Sequence, residues 1–409
     1  MNSRRSYKLA LVVWVWLGLV GSVSSFAVQL TGSFTSELYT WTEERAEHIR
    51  PYQRLNSNFT FLNRADQPTL DWYTSLRWTT DFSDKFESDP QLNIYQTYLR
   101  LGRFYDRTEL RLGRMFVYNG LGSGFIDGLY LRDLTVKGAD IDLYAGSRVD
   151  QLDPESVRSL SDYLNFGSLI KWRLSPEVNL IHSVILTRDA GESEQFVTGL
   201  QADISHNNLY GVTRANYGIN DKRLHTISGL ARLSLDKWTG TIQAGSILPT
   251  VRANSIFAII DAKRRDEARL ALTRVLKDDW RLTGSAKFSL VEDNNQTRVS
   301  LGLRSNRYYL LWTNQSGDQS SANGVRAGIN GKLFVSWRLF ASGGYNSYMV
   351  QDEIESDLTA WHIRTGLTKR ISQSLEARAE LQLLSNADSE NDLRALISLS
   401  KAFDIGGKE

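Results

Sequence analysis

Basic side chains occur at alternate positions in several segments, where they share one face of the chain with small polar residues. In the segment that follows Trp280, Arg281 and Lys287 lie on the same face as Thr283 and Ser285. Rings of arginine and lysine around an aqueous passage attract anions. These residue types therefore favour electrostatic selection of small anions over bond-making chemistry.

Signals for catalysis and for metal binding are poor. The sequence has no cysteine, which excludes disulfides, thiolate metal sites and a cysteine nucleophile. No Gly-x-Ser-x-Gly segment occurs, and the histidines show no His-Glu-x-x-His spacing. The histidines are His48, His182, His206, His225 and His362. We therefore predict no enzymatic activity, no metal and no cofactor. With a net charge of +2, we also expect no nucleic-acid partner.

The elements that must position the basic residues are β-strands, because apolar and polar residues alternate through most of the chain. From Trp280 to Val291, Leu282 and Phe288 point to one side of a strand, and Arg281 and Lys287 point to the other. A soluble sandwich would have to cover its apolar face with a second layer, and the polar face is too charged to be a second core. The pattern predicts an all-β fold, a closed antiparallel transmembrane β-barrel with an apolar outer face and a wet inner face.

Connections of two kinds separate the predicted strands. Short polar turns force neighbouring strands to be antiparallel. Longer connections alternate with many of them: 43–50, 117–127, 150–159, 248–265 and 351–357. The segmentation gives about 22 strands, and we accept an even number from about 16 to 22. No linker divides the chain, so we predict one barrel domain over residues 28–403, with the short turns on the periplasmic side.

The amino terminus has the pattern of a secretory signal peptide. Arg4, Arg5 and Lys8 precede an apolar stretch, and the small residues Ser25 and Ala27 follow it. We predict cleavage after Ala27, so that residues 1–27 are removed on export. At the other end, the alternation in the last strand stops at Phe403, and residues 404–409 are predicted to form a short periplasmic tail.

Several tryptophans are adjacent to short turns and in phase with the apolar face. Tryptophan belts mark the membrane–water interfaces of barrels. The predicted interfacial residues are Trp172, Trp238, Trp280 and Trp337.

In the predicted strands with uninterrupted alternation, the polar face contains a set of basic residues that should line the pore: Arg100, Arg111, Lys171, Arg281, Lys287, Arg298, Arg304, Arg326, Lys332, Arg338, Arg364 and Arg378. Fewer acidic residues share that face: Asp71, Asp142, Asp203, Glu376 and Glu380. One reading is a pore with a weak anion preference. The other is that acids of neighbouring strands pair with these cations, which then only line a wet wall.

A glycine-rich stretch over residues 110–128 resembles the region of general porins where a strand that ends in Gly-Arg enters the loop that folds into the pore. Gly120, Gly122 and Gly124 would permit an inward-turning backbone. The resemblance implies a constriction, in which Asp127 could face Arg100 or Arg111. The alternative is a glycine-rich turn at the surface.

The mature chain as a whole resembles a porin-like outer-membrane β-barrel of Gram-negative bacteria. The resemblance implies location in the bacterial outer membrane, contact with its lipid and lipopolysaccharide, and passive diffusion of small hydrophilic solutes. It also implies that the protein could form a homo-oligomer. A rival hypothesis is a scaffold that sheaths a partner protein in its lumen, as in porin–cytochrome conduits. A second rival is a barrel enzyme that acts on lipid, which should show a histidine beside a serine or threonine at the outer rim. A third is a secreted soluble β-protein.

Overall fold

The computed structural model describes residues 29–43, 46–62, 68–79, 91–105, 107–150, 156–190, 194–248, 263–277, 279–292, 294–318, 320–350, 358–386 and 392–406. The predicted signal peptide, 1–27, lies outside the described residues. Among the described residues, no helix is long and apolar enough to cross a membrane.

The described residues form one 22-stranded sheet. Its strands are Gln29–Glu43 (β1), Ala46–Leu62 (β2), Thr69–Thr79 (β3), Gln91–Tyr105 (β4), Thr108–Tyr118 (β5), Ser123–Val136 (β6), Ala139–Arg148 (β7), Leu164–Arg173 (β8), Val178–Thr187 (β9), Gln195–His206 (β10), Leu209–Gly218 (β11), Arg223–Leu235 (β12), Trp238–Ile247 (β13), Arg265–Val275 (β14), Arg281–Val291 (β15), Asn294–Arg304 (β16), Tyr308–Gly317 (β17), Ser320–Phe334 (β18), Trp337–Val350 (β19), Leu358–Arg370 (β20), Leu375–Ser385 (β21) and Asp392–Ile405 (β22).

Every strand pairs antiparallel with its neighbours along the chain, and β1 pairs with β22, from Leu30 opposite Ile405 to Trp41 opposite Arg394. The sheet therefore closes into a barrel, because its first and last strands pair with each other. The prediction of a closed antiparallel barrel with about 22 strands is confirmed. Strand β22 extends two residues beyond the predicted boundary at Phe403, because Asp404 and Ile405 pair with Thr31 and Leu30.

The strand registers align apolar side chains on one face of the barrel wall and charged side chains on the other, from strand to strand. The side chains of Leu282, Leu303 and Leu310 lie side by side on one face, and those of Lys287 and Arg298 lie on the other. Large apolar residues of the first face remain exposed, for example Ile242 at 59%, Leu270 at 59% and Ile397 at 62%. An exposed apolar band around a closed barrel is the surface that contacts lipid. The charged face is therefore the inner face, and the apolar face is the outer face.

The lengths of the connections at the two rims differ less than the sequence predicts. The turns at 106–107, 137–138, 174–177, 207–208 and 236–237 share one rim, here called the lower rim, and the opposite upper rim carries the connections 149–163 and 248–264. The predicted long connections 43–50 and 117–127 are wrong, because strand structure extends to Glu43 and resumes at Ala46, and β5 and β6 leave only 119–122 between them. Hairpin pairing simply continues toward the upper rim in both places.

Candidate functional site

The registers place all the predicted pore-lining basic residues on the inner face, and they divide into two groups. Arg100, Arg111, Lys287, Arg364 and Arg378 form ion pairs with inner-face carboxylates. The remaining members form no ion pair with any described carboxylate: Lys171, Arg281, Arg298, Arg304, Arg326, Lys332 and Arg338. Paired and unpaired cations therefore both occur in the predicted set.

A row of three cations crosses neighbouring strands in one region of the wall. Arg269 of β14 lies directly opposite Lys287 of β15, which lies directly opposite Arg298 of β16. Lys287 Nζ is 2.8 Å from Glu267 Oε1, and no described carboxylate pairs with the other two. Arg281 similarly lies opposite Arg304. Like charges in direct opposition destabilise a sheet, and the Lys287–Glu267 ion pair offsets only part of this cost. These five basic residues of β14, β15 and β16 are here called the basic wall.

The upper part of the β5–β6 hairpin leaves the barrel wall, while β6 remains paired with β7 from Ile126 to Val136. Strand β5 pairs with β4 only as far as Arg114, opposite Thr97, although β4 continues upward to Gln91. Above that point, the residues from Met115 to Tyr118 pair with β6 alone. Gly113 is at the departure point and has a φ of +128°, a conformation that side-chain-bearing residues rarely adopt.

The tip of this hairpin lies on the inner face of β9 and β10. The Asn119 side chain donates a hydrogen bond to the Val184 carbonyl at 2.8 Å, and Leu121 packs against Gly199. A Cβ added at Gly120 would lie 3.1 Å from Ser183 Oγ, and one at Gly122 would lie 3.2 Å from Ile185 Cδ1. Ser183, Ile185 and Gly199 all belong to the inner face by register. Since β7 and β8 separate β6 from β9 in the wall, the tip reaches β9 by crossing the lumen side of both strands.

An ion pair between its two strands stabilises the hairpin. The Arg114 guanidinium donates two hydrogen bonds of 2.8 Å to the carboxylate of Asp127 across the hairpin. Asp127 therefore contacts Arg114, and neither Arg100 nor Arg111. The register explains this, because Asp127 lies opposite Arg114, whereas Arg111 lies opposite Tyr130 on the other face of β6. Of the predicted loop glycines, Gly120 and Gly122 approach β9. At Gly124, a Cβ would have no atom within 4 Å.

An apolar cluster underlies the same hairpin. Met115 and Ile126 are completely buried, and Val117 is nearly so. They form one cluster with the inner-face tyrosines Tyr130 and Tyr144. Burial of apolar side chains on the lumen side of a barrel requires a covering element, and the folded-in hairpin is that element. The lumen is therefore partly filled by a structure that is packed against its wall.

Below the hairpin, one buried acid collects several inner-face arginines. Glu109 is 5% exposed and contacts Arg100 at 2.6 Å, Arg132 at 3.5 Å, and Arg111. The Arg111 guanidinium also lies over the rings of Tyr98 and Tyr130, at 5.3 and 5.6 Å. Asp71 adds a second acid, 3.4 Å from Arg100. Asp133, 3.4 Å from Arg132, is a third acid, so three carboxylates balance the three arginines. This cluster therefore braces the wall rather than attracting ions.

A second buried acid collects two arginines on β20 and β21. The Glu380 side chain is 1% exposed and accepts hydrogen bonds from Arg364, Arg378 and Gln382. Both guanidiniums also lie over the Phe340 ring, at 5.3 and 5.2 Å. Two of the predicted pore-lining arginines thus share one carboxylate, and the cluster keeps one uncompensated positive charge.

The predicted interfacial tryptophans lie near the lower rim. Register places Trp172, Trp238 and Trp337 on the outer face, and Trp280, just before β15, contacts an outer-face residue. The Arg274 guanidinium lies over Trp238 at 4.9 Å, and the Lys369 ammonium lies over Trp337 at 4.9 Å. Trp280 stacks on Tyr308 with 6.3 Å between ring centroids, and Trp172 is opposite Ala139 at the end of β8. Such amphipathic groups suit the boundary between hydrocarbon and head groups.

One histidine lies beside a hydroxyl on the outer face. His182 Nε2 is 2.9 Å from Thr198 Oγ1, and both residues are in the middle of their strands, facing the lipid by register. No carboxylate pairs with His182 in the described part of the chain, and the described residues contain no group of acids and histidines able to hold a metal. A histidine–threonine pair without an orienting acid, away from either rim, lacks the arrangement that hydrolysis of a lipid ester requires.

Sequence reasoning missed several functional residues. Glu109 and Arg269 are in phase with predicted inner-face residues of their own strands, so extension of the alternation would have found them. Arg114 could not be found in this way, because it belongs to the part of β5 that leaves the wall.

No family model matches the chain. No curated protein matches it either. Among solved structures, the chain is similar to Acinetobacter baumannii OccAB4 with 11% identity and a TM-score of 0.46, over 92% of this chain and 98% of that one. It is also similar to Pseudomonas aeruginosa OccK1 (OpdK), with 9% identity and a TM-score of 0.47 over 92% and 99% of the two chains. The P pilus usher (PapC) translocation pore has 10% identity and a TM-score of 0.47, over 93% of this chain and 100% of that one. These values are too low to transfer a solute or an activity.

Proposed function

We propose that the chain is an outer-membrane channel for passive diffusion of small hydrophilic solutes, with a weak preference for anions. The observation that carries this proposal is the inner-face set of arginines and lysines that have no described carboxylate partner, inside a closed barrel with an apolar exterior. Lipid and lipopolysaccharide would surround the outer face, and copies of the chain could associate through it.

The proposed mechanism needs no moving part and no chemistry. The barrel satisfies its backbone hydrogen bonds internally, so the wall is stable in hydrocarbon. Solutes cross through the water that remains beside the β5–β6 hairpin, which narrows the passage. Cations on the wall raise the local concentration of anions, because a confined, low-dielectric passage screens charge less well than bulk water.

The position of the hairpin argues against the rival scaffold function. A partner that filled the lumen up to β9 and β10 would have to displace Asn119 and Leu121 and expose the apolar cluster around Met115. That exposure is unfavourable at about 25 cal/mol for each Å² of apolar surface. Purification without a co-purifying protein in the lumen is the corresponding expectation.

Planar-bilayer recording tests the proposal. The purified protein should produce discrete conductance steps, and in a KCl gradient the reversal potential should have the sign of chloride preference. A protein that inserts but conducts nothing would contradict the channel function. A clear potassium preference would leave the channel but overturn the role given to the unpaired cations.

A further inference from the structure

We propose that the lumen carries a binding site for the phosphate group of a small solute, formed by Arg54 and Arg77. The inference rests on the proposed channel function, since the solute must enter the lumen to reach the site. Arg54 of β2 and Arg77 of β3 are directly opposite each other on the inner face, on the side of the barrel where β1 closes onto β22. Two guanidiniums in direct opposition repel each other.

Arg77 is held in place without being neutralised. Its guanidinium lies over the rings of Tyr52 and Tyr95, at 5.6 and 5.4 Å. Tyr95 is the extra residue of a register shift opposite Ser75 and Leu76. The Nε atom of Arg77 is buried and has no hydrogen-bond partner among the described atoms. A cation–π clamp fixes a guanidinium but leaves its positive charge available to another group.

The Glu109 cluster shows what this site lacks. Arg111 is clamped in the same manner, over Tyr98 and Tyr130, and it is also paired with the buried carboxylate of Glu109. Arg77 has the two rings, and no described carboxylate takes the place of Glu109. An oxyanion brought by a ligand would complete the same arrangement.

Apart from each other, the two arginines have uncharged hydrogen-bonding residues directly opposite them in the described strands. Arg54 is opposite Thr35, and Arg77 is opposite Asn93. The next inner-face pair down the strands is Asn56 and Ser75, which are hydrogen-bonded at 2.6 Å. The nearest described inner-face acid is Glu37, opposite Tyr52, and it forms no ion pair with either arginine.

The number of donors favours phosphate over carboxylate. A carboxylate has two oxygens, which one guanidinium can satisfy with its parallel pair of N–H groups. A phosphate or phosphate monoester presents three or more oxygens and carries nearly two charges, so it can bridge both guanidiniums and cancel their repulsion. Both free phosphate and the phosphate group of an ester supply this chemistry.

Titration calorimetry on the detergent-solubilised protein tests the site without requiring ion conduction. Inorganic phosphate should bind, and acetate should bind at least tenfold more weakly. A sugar phosphate that binds more tightly than phosphate would identify an ester as the ligand, and equal or weaker binding would identify free phosphate. Acetate binding as tightly as phosphate would overturn the assigned ligand class.

A matched pair of double variants locates the site. Arg54→Gln with Arg77→Gln should weaken phosphate binding at least tenfold. Arg281→Gln with Arg304→Gln removes another directly opposed inner-face pair, one without an aromatic clamp, and should leave phosphate affinity within about twofold. Equal losses in both variants would show that phosphate responds only to the overall charge of the lumen, which overturns the proposal.

The measurements distinguish an error in the phosphate-site proposal from an error in the proposed channel function. Phosphate binding by a protein that forms no conductance steps would keep the site and remove the channel. Conductance steps without phosphate binding would keep the channel and remove the site. Retention of heat-sensitive electrophoretic mobility in each variant shows that the barrel has folded.

Discussion

The side chain of Asn119 joins the tip of the β5–β6 hairpin to Val184 of the barrel wall, 65 residues further along the chain. Its Nδ2 donates to the Val184 carbonyl at 2.8 Å, and its Oδ1 accepts the backbone N–H groups of Leu121 and Gly122 at 3.2 and 3.1 Å. One buried amide therefore both closes the turn and attaches it across the lumen. The width of the passage depends on this attachment.

A disulfide between the hairpin tip and the wall tests that arrangement directly. The chain has no cysteine, so Gly120→Cys with Ser183→Cys creates the only thiols. The Cβ of residue 120 would lie 3.1 Å from the atom that becomes sulfur at 183, which is within bonding reach after small adjustments. We expect oxidation to form the cross-link, detected as a mobility difference between oxidised and reduced samples in denaturing electrophoresis.

A matched control uses Gly138→Cys with Ser183→Cys, since Gly138 is in a lower-rim turn and no atom lies within 4 Å of its Cβ position. This pair should not cross-link within one molecule. Cross-linking in the control at the same rate as at Gly120, or in neither variant, would show that the hairpin does not rest on β9.

Alternation made the barrel predictable from the sequence. In strands such as β15, lipid on one side and water on the other demand opposite residue types at successive positions, so Leu282 and Lys287 reveal their faces without any knowledge of the fold. The strand number followed from the spacing of the turns. The order of the strands is predictable in membrane barrels because each strand pairs antiparallel with the next strand in the sequence.

The hairpin contacts and the Arg54–Arg77 pair were not predictable in this way. Alternation fails in β2 and β3, whose outer faces contain polar residues such as Gln53 and Thr74. The packing of Leu121 on Gly199 joins segments that are distant in the sequence, and no local pattern encodes it. The glycine-rich resemblance indicated an inward fold but could not identify Val184 as the contact.

Charge reversal on the basic wall should change ion selectivity. We expect Arg269→Glu with Arg298→Glu to lower the chloride-to-potassium permeability ratio by at least about twofold, because both cations face the lumen and lack described acidic partners. Reversal potentials in a salt gradient measure the ratio. Lys237→Glu with Arg307→Glu, in two lower-rim turns, is the control for the same change in total charge and should have a smaller effect. An unchanged ratio in the basic-wall double variant would mean that ions pass elsewhere in the lumen.

Removal of the buried acid at 380 should affect both stability and selectivity. Glu380→Gln leaves Arg364 and Arg378 without their shared carboxylate, at a cost of about 1–3 kcal/mol in unfolding free energy. Two freed cations should also raise chloride preference. Urea unfolding followed by tryptophan fluorescence, with reversal potentials, measures both effects. Glu376→Gln is the matched control, because Glu376 is an exposed inner-face acid of the same strand and forms no ion pair in the described structure. Equal effects of the two substitutions would contradict the central role of Glu380.

The connection between β11 and β12 should respond to acid. A hydrogen bond from His225 Nε2 to Asp221, 2.7 Å long, lowers the pKa of the Asp221 carboxyl below its ordinary value. A lowered pKa in the folded state means that the ionised carboxylate stabilises the fold above the ordinary aspartate range, near pH 3.9, and that this stabilisation is lost as pH falls through the lowered value. Asp221→Asn should therefore be slightly less stable than the parent protein at pH 7, with the difference vanishing at the acid end. A difference that grew on acidification would refute the assignment. Urea unfolding at a series of pH values measures this difference.

Gly113 is the residue that allows the hairpin to leave the wall. Its φ of +128° disfavours any side chain, and an added Cβ would collide with the Thr97 carbonyl oxygen and lie 3.0 Å from Tyr98 Cα. Gly113→Ala should therefore destabilise the protein by about 1–3 kcal/mol, or release the hairpin and enlarge the conductance step. Gly124→Ala, on the same hairpin and with open space at its Cβ position, should change neither property. Urea unfolding and single-channel recording distinguish the two outcomes for Gly113. A Gly113→Ala protein with parental stability and conductance would show that the departure of β5 from β4 does not depend on this backbone conformation.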